Sequence, residues 1–145
     1  CFVMEYMAMP AVFDFHRTVR AEDIDLLGHV NNLVYLKWVQ SAAVAHSAEQ
    51  GWPTERYQSL QAGWVVRSHQ IDYLQPAFAD HGIIVRTWVA DLKKISSLRR
   101  YQILRDRDEA VLATAATNWA FIDFATGRLT RIPNAVADAF EIVAD

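Results

Sequence analysis

Four runs of alternating, β-prone residues follow one another in the second half of this chain, with only short polar turns between them. They are residues 63–74 (GWVVRSHQIDYL), 82–92 (GIIVRTWVADL), 96–106 (SSLRRYQILRD) and 110–124 (AVLATAATNWAFIDF). The joining pieces, PAFADHG, KKI and RDE, are too short for the dozen or more residues that a parallel crossover needs. Successive strands must therefore pair antiparallel, and a sheet of that kind requires something apolar to cover one face.

The cover is supplied upstream. Residues 33–50, LVYLKWVQSAAVAHSAEQ, contain neither proline nor glycine. Val34, Trp38, Ala42 and Ala45 recur at helical spacing, joined by Tyr35, Val39 and Ala43, with polar Lys37, Gln40, Ser41 and Ser47 between them. The small residues 42–45 let a helix backbone lie close against a sheet. Asn31 or Asn32 is the N-cap, since a short amide oxygen accepts from the free first-turn N–H groups. The GWP at 51–53 stops the helix.

A further strand is expected over 12–20, VFDFHRTVR, with Phe13, Phe15, Arg17 and Val19 on one side. The stretch ATGRL at 125–129 reads as a tight turn. A last amphipathic helix is expected over 134–145, after Pro133 and capped by Asn134. The fold class is thus α+β, a curled antiparallel sheet with one long helix on a face. The 145 residues fit one domain, with no repeat, low-complexity tract or linker. Residues 1–10 are expected to be a flexible lead-in with an ambiguous start, since Met4, Met7 and Met9 are all plausible first residues.

Composition narrows the function. The net charge of −3 argues against a nucleic-acid partner. No apolar run reaches the ~18 residues of a membrane span. The N-terminal apolar residues have no basic flank and are broken by Glu5, so no signal peptide and no membrane partner are expected. The single cysteine, Cys1, excludes an internal disulfide and fits a cytoplasmic protein. There is no histidine pair or Cys/His cluster at metal-ligand spacing, no G-x-S-x-G elbow and no glycine-rich nucleotide fingerprint. Neither metal nor cofactor is expected.

The chemistry concentrates in residues 23–38, DIDLLGHVNNLVYLKW, where acids, a glycine, a histidine and two asparagines precede the helix. A helix N-terminus offers unpaired N–H groups and a partial positive charge. A carboxylate beside it can activate or attack an electrophilic carbonyl whose oxygen those N–H groups hold. By itself Asp25 could equally cap a turn, as aspartate often does. Asp23 reads as a solvated loop acid.

The run Asp25, Leu26, Leu27, Gly28, His29, Val30, Asn31, Asn32, followed by Tyr35 and Trp38, resembles the motif of hot-dog-fold acyl-CoA thioesterases of the 4-hydroxybenzoyl-CoA type. It is also similar to plant acyl-ACP thioesterases, which carry D-x-x-x-H-V-N-N before the helix. Residues 69–77, 85–89, 97–103 and 127–133 resemble the same families more weakly. Two departures stand out. Leu27 replaces an asparagine that the plant enzymes use, and the helix carries only Glu49, so a subgroup with its carboxylate on the helix fits poorly.

The resemblance implies a thioester hydrolase with Asp25 as nucleophile or general base and the backbone N–H of Asn32 polarising the carbonyl. Gly28 would turn the loop and keep bulk away from the thioester. His29 would position water, bond Asp25, protonate the leaving sulfur, or only brace the loop. Asn31, Tyr35 and Trp38 would cap the helix, pack in the core or line the acyl pocket. Lys93, Lys94, Arg99 and Arg100 form a basic group around one turn that would attract coenzyme A phosphates, with Ser96 and Ser97 beside it as substrate contacts. Arg128 and Arg131 are weaker candidates of the same kind. The partners implied are an acyl-CoA or acyl-ACP substrate and further copies of the chain, as a homodimer or homotetramer. A hot-dog dehydratase or hydratase, and a non-catalytic acyl-CoA-binding module, are the alternatives.

Overall fold

The computed structural model describes residues 11–144; the expected lead-in, with Cys1 and the three methionines, lies outside the described residues. The elements are β1 (Val12–Thr18), a single 3-10 turn at Ala21–Asp23, α1 (Asn32–Glu49), α2 (Thr54–Leu60), β2 (Ala62–Tyr73), β3 (Gly82–Leu92), β4 (Ser96–Arg105), β5 (Val111–Asp123) and α3 (Asn134–Ala137). All five strands form one antiparallel sheet in the order β1-β3-β4-β5-β2. This is the α+β hot-dog arrangement that the sequence implied.

The sheet curls around α1. Pairing slips by one residue at Arg67 in β2 and at Ala90 in β3, and such bulges deepen the local twist. One face of α1 is buried through Tyr35, Trp38, Val39, Ala42, Ala43, His46 and Ser47, while Lys37, Gln40 and Glu49 stay exposed. It packs on Val85, Tyr101, Ile103, Ala113 and Ala115 of the sheet. Ala42 and Ala43 of the helix and Ala113 and Ala115 of the sheet are small members of this core, and the helix backbone comes closest to β3 and β1. A second apolar cluster, with Trp52, Tyr57, Val89, Phe121, Ile132, Val136 and Phe140, closes the end of the molecule beyond the helix C-terminus.

Three local differences from the sequence reading have physical causes. The GWP segment starts a second helix, α2, whose Tyr57 is buried against the C-terminal end of the core. The expected helix over 134–145 is a single turn, capped by Pro133 rather than Asn134. Beyond it the chain stretches along β3, where Ile142 bridges Val89 and the amide of Val143 donates to the carbonyl of Val89 (2.9 Å). Of the β1 side chains expected to share a side with Phe13 and Val19, Arg17 is exposed and lays its guanidinium over the ring of Phe15, 4.2 Å from the centroid. No helix of the described residues is long and apolar enough to cross a membrane.

Candidate active site

The loop between Ile24 and Val30 is pinched shut at its base by a bridge between those two residues. Inside it the amide of Asp25 donates to the carbonyl of His29 (2.8 Å), and the amide of Gly28 donates to the carbonyl of Asp25 (3.1 Å). The carboxylate completes the turn: Oδ1 of Asp25 accepts from the amides of Leu27 (2.9 Å) and His29 (3.3 Å). Oδ2 has no hydrogen-bond partner among the described residues, and the Asp25 side chain is half-buried. Gly28 sits at φ +81°, in the left-handed region, with nothing within 4 Å of where a Cβ would stand. A side chain there would be costly for the backbone alone. The loop therefore fixes one oxygen of Asp25 and leaves the other available.

The helix start follows directly. Asn31 is the N-cap of α1, with Oδ1 accepting from the amide of Leu33 (2.9 Å) and its carbonyl accepting from the amide of Val34 (2.9 Å). Its own amide donates to the carbonyl of Asp23 (2.8 Å). Asn32 is the first helical residue, and its N–H has no acceptor among the described residues. That amide is one of the orphan donors that a helix N-terminus leaves over. It opens on the surface, since Asn31, Asn32 and Leu33 are all exposed.

The other expected site residues fall in three places. The ring of His29 stands edge-on to Phe78 at 5.3 Å and makes no side-chain hydrogen bond to Asp25. Tyr35 is buried in the core between Trp38 and Tyr73, where burial pushes its phenol above the ordinary value. The hydroxyl of Tyr73 reaches the carbonyl of Asn32 (3.1 Å); Tyr73 was not singled out in the sequence, because its position next to the helix start depends on where β2 ends.

The basic turn comes apart. Lys93 and Lys94 are exposed between β3 and β4, with Ser96 half-buried beside them. Ser97 is buried and donates from Oγ to the carbonyl of Asp91 (2.8 Å). Arg99 is not on the rim. Side chains alternate along β4, so Ser97, Arg99, Tyr101 and Ile103 point under α1 while Arg100 and Gln102 point away. The turn also lies beside Ile132, whose amide donates to the carbonyl of Lys94 (2.9 Å), at the end of the molecule opposite the Asp25 loop. Within one chain, Lys93 and Lys94 do not meet Asp25.

The chain over residues 19–140 matches the model of the thioesterase-like superfamily. No curated protein matches it in sequence. Among solved structures it is similar to 1,4-dihydroxy-2-naphthoyl-CoA thioesterase of Synechocystis, with 19 % identity, TM-score 0.82, and coverage of 88 % of this chain and 94 % of that one. It is also similar to the DHNA-CoA thioesterase of Staphylococcus aureus (18 % identity, TM-score 0.81, 88 % and 85 % covered). A gentisyl-coenzyme A thioesterase gives 22 % identity, TM-score 0.78, and 87 % and 98 % coverage. At these identities the structures establish the shared fold, and the superfamily match establishes the kinship. The chain belongs to the thioesterase-like superfamily, the thioester hydrolases that its Asp25–Asn32 run implied.

Proposed function

We propose that this protein hydrolyses an acyl or aroyl thioester of coenzyme A or of acyl carrier protein to the free acid and thiol. Asp25 is its nucleophile or general base, and the N–H of Asn32 receives the carbonyl oxygen. The observation that carries this is the pairing at one helix start of a carboxylate with an uncommitted Oδ2 and an amide with no acceptor. As a base, Asp25 takes a proton from water, the hydroxide adds to the carbonyl carbon, and the tetrahedral oxyanion settles on the Asn32 N–H. Collapse breaks the C–S bond and the thiolate takes up a proton. As a nucleophile, Asp25 adds to the carbonyl and expels the thiolate, leaving a mixed anhydride that water then opens.

A second copy of the chain completes the site in this reading. Among the described residues β2 pairs with β5 on one side only, so its outer edge is a row of backbone donors and acceptors twelve residues long with no strand beside it. An antiparallel β2–β2 pair would run the partner's strands in reverse. The partner's Lys93–Lys94 end would then lie level with the Asp25 end of the first chain, where two lysines suit the phosphates of coenzyme A.

The deciding experiment offers a panel of acyl- and aroyl-CoA thioesters with a thiol reagent to wild type and to Asp25→Asn. Thiol release by wild type, reduced at least 100-fold in the variant, is expected. Equal rates in the two proteins would remove Asp25 from the chemistry, and loss of enoyl absorbance without thiol release would replace hydrolysis by hydration. Single turnover in ¹⁸O-water tests the nucleophilic role, since label enters the Asp25 carboxylate only when water opens a mixed anhydride at the Asp25 carbonyl.

A further inference from the structure

About fifteen residues along α1 from the Asn32 amide, roughly 22 Å at the helical rise, the molecule holds a separate cavity of about 130 Å³. Trp52, Trp64, Trp119 and Phe140 contribute aromatic wall, and Arg99 lines it as well. Ser47, Thr54, Tyr57 and Ser97 bring hydroxyls to it. An apolar cavity of about 150 Å³ is enough to take up benzene.

Arg99 is the anomaly. It is 5 % exposed. Its Nη1 donates to Nδ1 of His46 (2.8 Å) and to Oγ1 of Thr87 (3.1 Å), and its guanidinium carbon lies 5.8 Å from the ring centre of Phe140. A guanidinium carries five N–H donors. Among the described residues, Nη2 and Nε have no acceptor and no carboxylate pairs with the group. The Nε1 of Trp119, a residue of the same wall, is also buried without a hydrogen bond among the described residues, the Tyr101 hydroxyl lying near it outside bonding geometry. Burial pulls the Arg99 pKa below its ordinary value, yet a guanidinium keeps its proton in any working range of pH. A buried cation without an anion is costly, and the cost falls when an anion joins it.

We propose that this cavity binds a small aryl or short-chain carboxylate, its carboxylate on the Arg99 guanidinium and its hydrocarbon among Trp52, Trp64 and Phe140. Neutral molecules of the same shape fill the same walls but leave the arginine without a counter-charge, so the site discriminates for the acid. Val44, half exposed, lies on the cavity lining and marks its way in. The site uses no residue of the Asp25 loop, so it stands whether or not the hydrolytic reading does.

The test is calorimetric titration of the protein with benzoate and hexanoate against benzamide and hexanamide at pH 7. At least one acid is expected to bind at least tenfold more tightly than its amide. Asp25→Asn is expected to keep that binding, which separates it from retention of a product acid at the hydrolytic site. Arg99→Gln is expected to abolish the preference for the acid. Val44→Phe, which narrows the cavity without touching the arginine, is expected to weaken the acid at least tenfold and covers the case in which Arg99→Gln does not fold. Equal affinity for acid and amide, no binding of either, loss of binding in Asp25→Asn, or binding unchanged by Val44→Phe would overturn the proposal.

Discussion

Asp25 and His29 hold each other twice: the amide of Asp25 donates to the carbonyl of His29 at 2.8 Å, and the amide of His29 donates to the carboxylate of Asp25 at 3.3 Å. One side chain therefore both shapes the loop and carries the proposed chemistry, and two substitutions separate these duties. Asparagine keeps an acceptor for the Leu27 and His29 amides, so Asp25→Asn should lose rate and little stability. Alanine removes both side-chain bonds, so Asp25→Ala should lose the rate and in addition about 1–2 kcal/mol of stability. Urea unfolding of the two variants side by side checks this, and an Asn variant as unstable as the Ala variant would contradict it.

Gly28→Ala isolates the backbone. Nothing stands within 4 Å of the new Cβ and φ is +81°, so only left-handed strain is added, about 1 kcal/mol. The denaturation midpoint should fall accordingly. A change of several kcal/mol would mean that the loop had rearranged rather than strained.

The cap makes a parallel case. Asn31→Ala removes the acceptor of the Leu33 amide and should cost about 1 kcal/mol. It also frees a second donor beside the Asn32 amide. Asn31→Asp, which keeps the acceptor, should restore the stability, as thermal unfolding will show.

His69 sets a pH dependence. Its Nδ1 lies 2.8 Å from Oγ1 of Thr117, and burial lowers its pKa from the ordinary 6.5. The folded protein then binds a proton less readily than the unfolded chain, so stability falls as pH drops through 6.5 toward the lower folded value, and this loss is absent above it. Relative to His69→Gln, wild type should lose stability between pH 7 and pH 5. Parallel stability curves for the two proteins would exclude His69 as the cause.

Tyr101 makes the least intuitive prediction. Its ring is buried under α1, and among the described residues its hydroxyl has no hydrogen-bond partner within bonding geometry, although Thr117 and Trp119 are near enough to influence its titration. A buried hydroxyl without a partner costs free energy that phenylalanine does not. Tyr101→Phe should leave stability unchanged or raise it by up to about 1 kcal/mol in urea. A loss of 1 kcal/mol or more would reveal a bond that the hydroxyl makes.

The strands, the long helix and its cap were legible because each rests on local chemistry. Alternation marks β3 from Gly82 to Leu92, the absence of proline and glycine marks α1, and the Asn31 amide oxygen closes its first turn. The Asp25 loop was legible for the same reason, since Gly28 and the Asx turn at Asp25 act within five residues. Tertiary structure decided what lies far apart in the chain. It turned the 134–145 segment from a helix into one turn and an extended edge, because pairing with Val89 of β3 satisfied backbone groups that a helix would have bonded internally. It also divided the basic turn, sending Arg99 inward beneath His46 while Lys93 and Lys94 stayed out. Two adjacent positions on a strand face opposite ways, and which of the two is inward depends on the register with β3 and β5. The sequence determines that Arg99 and Arg100 differ in facing, and only the folded sheet decides that the buried one is Arg99.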